Sequence, residues 1–252
     1  MNYDNKKGII MNYEQRPVIG IIAKPLLSSQ LKHNLWTRLV VNDAFREQVY
    51  LHGGIPISIM TRNYYNNPDT DNIIEKIPDL DKECLLQSLS MVDGIILQGG
   101  LTGDTYEIEI VKYALENDVP IMGVCAGFNN IARAVNLPVI LKDELAKVHD
   151  VYDADYRHPV YINKKHPLSY IFHEEKTEVN SLHRMFVENK GIPDNIEVLA
   201  TSSDGHIEAF TVKDNTFCLA VKWHPEIMYE KHQKELFGIF VLLSDRRRKC
   251  KK

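Results

Sequence analysis

One cysteine stands in a local sequence that suits a nucleophile. The segment Ile121–Phe128 reads I-M-G-V-C-A-G-F, so that a glycine lies two residues before Cys125 and another two residues after it. Small residues at these positions permit a sharp strand-to-helix turn, which projects the central side chain from the edge of a sheet. The dipole of a following helix favours the thiolate. We predict that Cys125 is a thiolate nucleophile, with a buried core cysteine as the alternative.

A base and its orienting group are expected at W-H-P-E, residues 223–226, which follows an apolar run at 219–221. A thiol nucleophile needs a base to move its proton, and the base needs a partner that fixes its orientation. His224 stands at a predicted strand end, and Glu226 is close enough to accept the second imidazole N–H. We therefore predict a triad of Cys125, His224 and Glu226.

Two glycines close a third predicted strand. Gly99 and Gly100 end the segment L-Q-G-G, and glycine lets backbone amides approach a ligand without a side chain in the way. The N–H of Gly100, paired with that of Ala126, is predicted to form an oxyanion hole. One such donor typically lowers a barrier by about 3 kcal/mol. An ordinary glycine turn is the alternative.

The elements that would position these residues alternate along the first half of the chain. Apolar runs predict strands at 18–23, 55–60, 93–97 and 120–124. Helical spacing predicts helices at 39–51, 84–89, 105–117 (capped by Asp104) and 126–135, with a loop at 61–83. Such alternation is typical of a doubly wound, mostly parallel sheet covered by helices.

The second half has a different pattern. Short segments at 148–152 and 159–162 are followed by β-like runs at 197–202, 206–212 and 217–221, separated by turn residues. These runs predict antiparallel hairpins, and a helix is predicted at 232–243. The whole divides into a polar lead-in (1–16), a single α/β domain (17–244) and a basic tail (245–252).

Composition excludes several classes of protein. The chain has 252 residues, 44% of them hydrophobic, and a net charge of −4, which argues against a globally basic nucleic-acid binder. It lacks the run of roughly 18 apolar residues that a membrane span needs, and its first residues do not resemble a secretion signal. Its 4 cysteines form no CxxC motif. We expect a cytoplasmic protein with reduced thiols, binding neither nucleic acid nor membrane.

Histidines and aspartates between 149 and 173 invite comparison with a metal site. The residues concerned are His149, His158, His166 and His173, with Asp150, Asp153 and Asp155. None has the spacing of HExxH or of another specific ligand motif, so we expect surface histidines on loops and no metal. P-loop and GxGxxG motifs are absent too, and no cofactor is expected.

Taken together, G-V-C-A-G, L-Q-G-G and W-H-P-E resemble the class I glutamine amidotransferases. V-N-S-L-H at 179–183 and D-G-H-I-E-A at 204–209 are similar to segments of the branch that includes γ-glutamyl-γ-aminobutyrate hydrolases. The resemblance covers roughly residues 17–240. It implies a flavodoxin-like three-layer α/β sandwich in which a Cys–His–Glu triad attacks the γ-amide of a glutamyl group. By this resemblance Cys125 is the nucleophile, His224 the base and Glu226 the orienting carboxylate.

The sequence departs from the family pattern near the substrate. Ala126 stands where this branch often has arginine, and Asn129 stands where glutamine is usual. We expect Gly99, Asn129, Ser181 and His183 to line the substrate pocket. For the last two, the alternative is that they only join a loop to the sheet. These departures leave the identity of the leaving amine open.

The sequence therefore predicts an amidohydrolase that cleaves a γ-glutamyl amide through a thioester. One alternative is a glutaminase subunit that passes ammonia to a separate synthetase. Another is a binding module without activity on the same fold. The expected partner is a small γ-glutamyl amide or glutamine. The oligomeric state is open, with a homodimer as one option.

Overall fold

The structure, a computed structural model, describes residues 15–25, 39–61, 76–100, 104–151, 153 and 155–250. Its strands are β1 (Val18–Ile22), β2 (Lys24–Pro25), β3 (Leu39–Val40), β4 (Ile55–Ile59), β5 (Gly94–Leu97), β6 (Ile121–Val124), β7 (Ile140–Leu141), β8 (His158–Ile162), β9 (Lys176–Val179), β10 (Met185–Phe186), β11 (Ile196–Ser202), β12 (Ile207–Val212) and β13 (Cys218–Val221). Its α-helices are α1 (Asp43–Leu51), α2 (Asp79–Ser90), α3 (Thr105–Glu116), α4 (Ala126–Ala134), α5 (Ala146–His149) and α6 (Lys231–Cys250).

A nine-stranded sheet has the order β4-β1-β5-β6-β13-β12-β11-β8-β9. The strands from β4 to β13 in this order are parallel to one another. Numbered by their place in the chain, they run 2-1-3-4-5, which is the flavodoxin-like order. Every residue of β5, β6 and β13 is buried, as expected where helices cover both faces of a parallel sheet.

The remaining strands extend the sheet in antiparallel fashion. β12 pairs with β13, β11 with β12, β8 with β11 and β9 with β8. Two short ribbons, β2 with β3 and β7 with β10, lie outside the main sheet. The predicted α/β class, with a parallel sheet followed by antiparallel strands, is confirmed.

Helices cover the sheet on both sides. On one face, α2, α3 and α4 contribute Leu89, Ile110 and Ile131 to a continuous apolar core. On the other face, α1 and α6 contribute Val49 and Phe240 to a second core. Three layers result, with the carboxyl ends of the parallel strands left open between helices, where α/β proteins bind their ligands.

Element boundaries follow local capping. Asp104 caps α3, and its carboxylate accepts the N–H groups of Tyr106 and Glu107, as predicted. Asn42 caps α1, so this helix begins later than the pattern at 39–51 predicts. The loop prediction for 61–83 is wrong at its end, because α2 begins at Asp79, where acidic residues favour a helix N-terminus. Residues 62–75 of that loop lie outside the described residues.

The C-terminal helix is longer than predicted. It was expected to end at residue 243, yet α6 continues through Cys250. Arg247 donates to the carbonyls of Asp118 at 2.9 Å and Asn117 at 3.1 Å, and Asp245 pairs with Arg248 one turn later. Residues 245–250 are therefore helical and partly packed, not a loose tail. The division into lead-in, domain and tail stays a prediction.

The described part of the chain contains no helix that is both long and apolar enough to cross a bilayer.

Candidate active site

Cys125 occupies the turn between β6 and α4 in a conformation that few residues adopt. Its φ is 54° and its ψ is −99°, a strained backbone that costs a non-glycine residue about 1–3 kcal/mol. Its N–H donates to the carbonyl of Val221 in β13 at 2.9 Å, so the sheet holds the turn in place. The predicted sharp turn at Cys125 is confirmed.

Two glycines are required by close approach around this turn. A Cβ at residue 127 would collide with the carbonyl oxygen of Leu97, so Gly127 lets α4 pack against β5. A Cβ at residue 99 would lie 2.7 Å from Cε1 of His224 and 3.5 Å from Cβ of Cys125. Gly99 therefore lies against both the thiol-bearing residue and the imidazole, and it leaves room for them to meet.

His224 is fixed on two sides. Its Nδ1 lies 2.8 Å from Oε1 of Glu226, which is buried in the short turn Pro225–Ile227. Asn180 holds the backbone of the same residue: the His224 N–H donates to its Oδ1 at 2.7 Å, and its Nδ2 donates to the His224 carbonyl at 3.1 Å. With Nδ1 occupied, Nε2 is the ring nitrogen available to the thiol.

The charges of the site favour an ion pair between thiolate and imidazolium. Burial alone would raise the pKa of Cys125, but the charge and hydrogen bond of His224, with help from Lys222, bring that pKa below its ordinary value. Burial alone would lower the pKa of His224, but Glu226 and Cys125 hold that pKa well above its ordinary value. The three predicted triad residues are thus brought together, with the proton displaced toward the imidazole.

The other described cysteines have different surroundings. Cys84 and Cys250 are exposed, and Cys218 is buried in β13. Burial raises the pKa of Cys218 to about 12. Cys125 is accordingly the described thiol whose environment favours the thiolate while it is buried.

The two amides predicted for an oxyanion hole lie at neighbouring strand ends. Ala126 is the first residue of α4, where a backbone N–H has no partner within the helix. Gly100 follows β5 with a φ of 131°, a value that favours glycine. Because β5 and β6 are adjacent in the sheet, both residues lie on the same edge. Their role stays a prediction.

The residues predicted to line the substrate pocket are engaged with the protein itself. Asn129 is buried, and its Oδ1 accepts from Nζ of Lys222. Ser181 donates from Oγ to the His149 carbonyl at 2.7 Å, which matches the alternative that it joins a loop to the sheet. His183 packs on the His149 ring, with centroids 5.0 Å apart. Substrate contact by these residues stays a prediction.

Four buried side chains form a second polar group, which we call the histidine cluster. Its members are His149, His158, His183 and Glu208. Burial lowers the pKa of each imidazole, to about 4 for His158, and raises the pKa of Glu208 to about 8. The cluster is close to the thiol, because Cys125 Sγ lies 3.8 Å from the carbonyl oxygen of Leu182.

The expectation of surface histidines is therefore wrong for most of them. His149, His158 and His166 are buried, and only His173 of the set is exposed. The sequence reasoning erred because the contacts join residues far apart in the chain, which spacing motifs do not record. His166 lies outside the cluster, with Nε2 2.8 Å from the Thr211 hydroxyl.

Three functional side chains were missed from the sequence: Asn180, Lys222 and Glu208. Asn180 lies inside the V-N-S-L-H segment, yet attention went to its neighbours. Lys222 and Glu208 are charged residues within or beside apolar strands, and both are fully buried. A charge in a predicted core strand is itself a signal, since such groups are buried only with a partner or a purpose.

Comparison with known proteins is consistent with this geometry. A family model described as Peptidase C26 matches residues 101–226, which is half of the chain. The chain belongs to the Peptidase C26 family. The resemblance to class I glutamine amidotransferases is thereby confirmed at the level of the family.

Relatives within and around Peptidase C26 have similar names. The glutamine amidotransferase-like protein YvdE of Lactococcus lactis is 26% identical over 200 residues, which cover 68% of this chain and 83% of the relative. The glutamine amidotransferase-like protein RP404 of Rickettsia prowazekii is 24% identical, covering 72% and 87%. CTP synthase of Latilactobacillus sakei is 25% identical, and the match covers 71% of this chain but 39% of that enzyme.

Solved structures share the fold. A subunit of GMP synthase from Thermoplasma acidophilum superposes with a TM-score of 0.65 at 15% identity, covering 95% of this chain and 99% of that one. The glutaminase domain of Trypanosoma brucei CTPS, with bound acivicin, gives a TM-score of 0.63 at 16% identity, covering 91% and 94%. At these identities the likeness concerns the fold.

Proposed function

We propose that the protein hydrolyses γ-glutamyl amides through a thioester on Cys125. The observation that carries the proposal is the arrangement of Cys125, His224 and Glu226 at one edge of the sheet, with the His224 Nδ1 2.8 Å from the carboxylate. A buried thiol with a lowered pKa is a competent nucleophile. Membership of a family of amide-cleaving proteins supports the same chemistry.

In the first step, the Cys125 thiolate attacks the γ-carbonyl carbon of the substrate. A C–S bond forms, and the carbonyl electron pair moves onto oxygen. The N–H groups of Gly100 and Ala126 donate to this oxyanion, where each well-placed donor is worth about 3 kcal/mol. Glu226 stabilises the imidazolium of His224 meanwhile by accepting its Nδ1–H.

In the second step, the oxyanion collapses and the C–N bond breaks. His224 gives its Nε2 proton to the departing amine, which leaves a neutral imidazole beside the thioester. The imidazole then takes a proton from water as the water oxygen attacks the same carbon. Collapse of this second oxyanion breaks the C–S bond, which releases glutamate and restores the thiolate and imidazolium.

A glutaminase that supplies ammonia to a separate synthetase is the second candidate. It uses the same chemistry on glutamine, and it is supported by the similarity to CTP synthase. A binding module without activity is less well supported, because a binder has no need of a thiol with a lowered pKa paired to an oriented imidazole. The candidates differ in the substrate that is turned over.

A comparison of substrates separates these candidates. Purified protein would be assayed with glutamine and with γ-glutamyl amides of 4-aminobutyrate, ethylamine and p-nitroaniline, next to Cys125→Ala. We expect kcat/KM to be highest for one of the γ-glutamyl amides, and mass spectrometry of quenched enzyme to find one γ-glutamyl group on Cys125. Preference for glutamine would establish the glutaminase. Activity retained by Cys125→Ala would overturn both enzymatic candidates, and a folded protein that turns over no substrate would leave the binding module.

The location and assembly of the protein are also proposals. The free thiols of Cys84 and Cys250 are exposed, and exposed free thiols fit a reducing compartment such as the cytoplasm. A homodimer is the proposed assembly if the protein is not monomeric. Light scattering of the purified chain measures its mass in solution and decides between the two.

A further inference from the structure

The histidine cluster has the size of a single-ion site. His149 ends α5, His158 begins β8, and His183 and Glu208 come from a loop and from β12. One potential ligand atom from each side chain can be chosen so that all of these atoms lie within 4.8 Å of one another. All four side chains are more than nine-tenths buried, so the ligand atoms face one another and not solvent.

These ligand atoms lack hydrogen-bond partners. Among the described residues, no partner is found for Nδ1 of His149, Nε2 of His158, either ring nitrogen of His183 or either carboxylate oxygen of Glu208. Burying polar atoms without partners is costly, and proteins rarely do so. The cost is offset when the unpartnered lone pairs converge on a cation.

Outer contacts orient two of the imidazoles. Nε2 of His149 lies 2.9 Å from Oδ2 of Asp204, which leaves Nδ1 directed at the cluster. Asp204 is itself held by the Ser202 hydroxyl and by Nδ1 of His206 at 2.8 Å. His158 interacts with the backbone of Pro159, which leaves its Nε2 free. A carboxylate behind a ligating imidazole is a common feature of metal sites, where it fixes the tautomer and the ring.

We propose that the histidine cluster binds one Zn²⁺ with all four of its side chains as ligands. Three neutral imidazoles and one carboxylate are ligands that zinc accepts in tetrahedral geometry. Tetrahedral bonds of about 2.0–2.1 Å place neighbouring ligand atoms about 3.3 Å apart. Oε1 of Glu208 already lies 3.6 Å from Nδ1 of His149 and 3.7 Å from Nε2 of His183, so small side-chain shifts complete the site.

Four protein ligands leave no open position for substrate, which makes the site a structural one. The ion joins α5, β8, β12 and the loop that carries His183. Leu182, next in the chain, places its carbonyl oxygen 3.8 Å from Cys125 Sγ. The carboxylates of Glu208 and Asp204 balance the charge of the ion, while Nζ of Lys222 is directed to Asn129. The zinc thus fixes the wall behind the thiol without taking part in the reaction.

Metal content measures the proposal directly. The full chain would be stripped with EDTA, given one equivalent of Zn²⁺, desalted and analysed by inductively coupled plasma mass spectrometry. We expect one zinc ion per chain in the native protein, and its loss in Glu208→Gln and in His183→Ala. His232→Ala is the matched control, because His232 is a partly buried histidine bonded to Thr177 outside the cluster, and it should retain zinc.

Zinc could instead bind the reactive thiol, and two measurements separate these sites. Cys125→Ala should retain the ion, and X-ray absorption of the native protein should find only nitrogen and oxygen ligands at about 2.0–2.1 Å. Zinc should also raise the Tm of the native protein and of Cys125→Ala, but not that of Glu208→Gln. A sulfur ligand, a folded native protein that retains no zinc, or equal retention by Glu208→Gln would overturn the proposal. The native measurements decide even if a variant fails to fold.

Discussion

Two buried cysteines on neighbouring parallel strands have opposite chemistry. Cys125 follows the carboxyl end of β6, whereas Cys218 begins β13 at the opposite edge of the sheet. Both are largely withdrawn from solvent, yet the pKa of Cys125 is lowered and burial raises that of Cys218 to about 12. Burial alone therefore suppresses the thiolate. The difference is made by the imidazole that lies at one edge and not at the other.

The topology explains why the imidazole is found there. β13 begins with Cys218, and the chain leaves its carboxyl end toward His224. Because β6 and β13 are parallel neighbours, their carboxyl ends bring Cys125 and His224 to the same edge. One strand thus contributes an inert thiol at its start and, just beyond its end, the base for the reactive one.

Replacing either member of the ion pair is expected to have the largest effect. Cys125→Ala and His224→Ala should each lower kcat by about 10³-fold or more, and the double variant should lose little beyond either single one, since such residues act as a unit. Cys218→Ala is the matched control and should retain native kcat. Independent losses that multiply in the double variant would contradict a shared mechanism.

The pH dependence of alkylation tests the comparison without a substrate. Iodoacetamide labelling, mapped by mass spectrometry, should be at least about 100-fold faster at Cys125 than at Cys218 near neutral pH, because the thiolate is the reacting form. A lowered pKa means that the Cys125 rate stays high at neutral pH and falls only as the pH drops through that pKa.

His224→Ala sharpens the same measurement. It removes the charge and hydrogen bond that lower the pKa of Cys125, so burial would dominate. The midpoint of the alkylation profile should then move to higher pH, toward the behaviour of Cys218. An unchanged midpoint would show that the imidazole does not control the thiol.

Glu226→Ala should have a smaller effect than loss of the base. The carboxylate orients His224 and raises its pKa, but it is not consumed in the reaction. We expect a loss of kcat that is about 10- to 100-fold milder than in His224→Ala, together with a lower apparent pKa for the imidazole in the pH–rate profile. A loss as large as that of His224→Ala would indicate a more direct role.

The smallest effect is expected at the inert thiol. Cys218→Ala removes a buried sulfur from β13 and should lower the free energy of unfolding by about 1 kcal/mol, measured by urea denaturation, with kcat unchanged. Faster inactivation of the native enzyme by modification of Cys218 than of Cys125 would reverse the comparison.

Local patterns predicted the parts of the site that are close in sequence. The turn at Cys125 depends on glycines two residues away, and the contact of His224 with Glu226 spans two residues. The hold of Asn180 on His224 and the convergence of His149 with Glu208 depend on how strands are ordered in the sheet. No short window of sequence contains that information, so these contacts required coordinates. The late start predicted for α2 failed for a simpler reason, because Asp79 and Asp81 were assigned to a loop.

The position of β13 has a consequence for how the protein folds. Among the described strands it is the last to be synthesised, yet it lies in the interior of the sheet between β6 and β12. Until it is inserted, β6 presents an apolar, unpaired edge that invites intermolecular association. Pairings between strands so distant in the chain form slowly. The nascent chain therefore passes through a vulnerable intermediate, and it gains its base at the moment when insertion of β13 closes that edge.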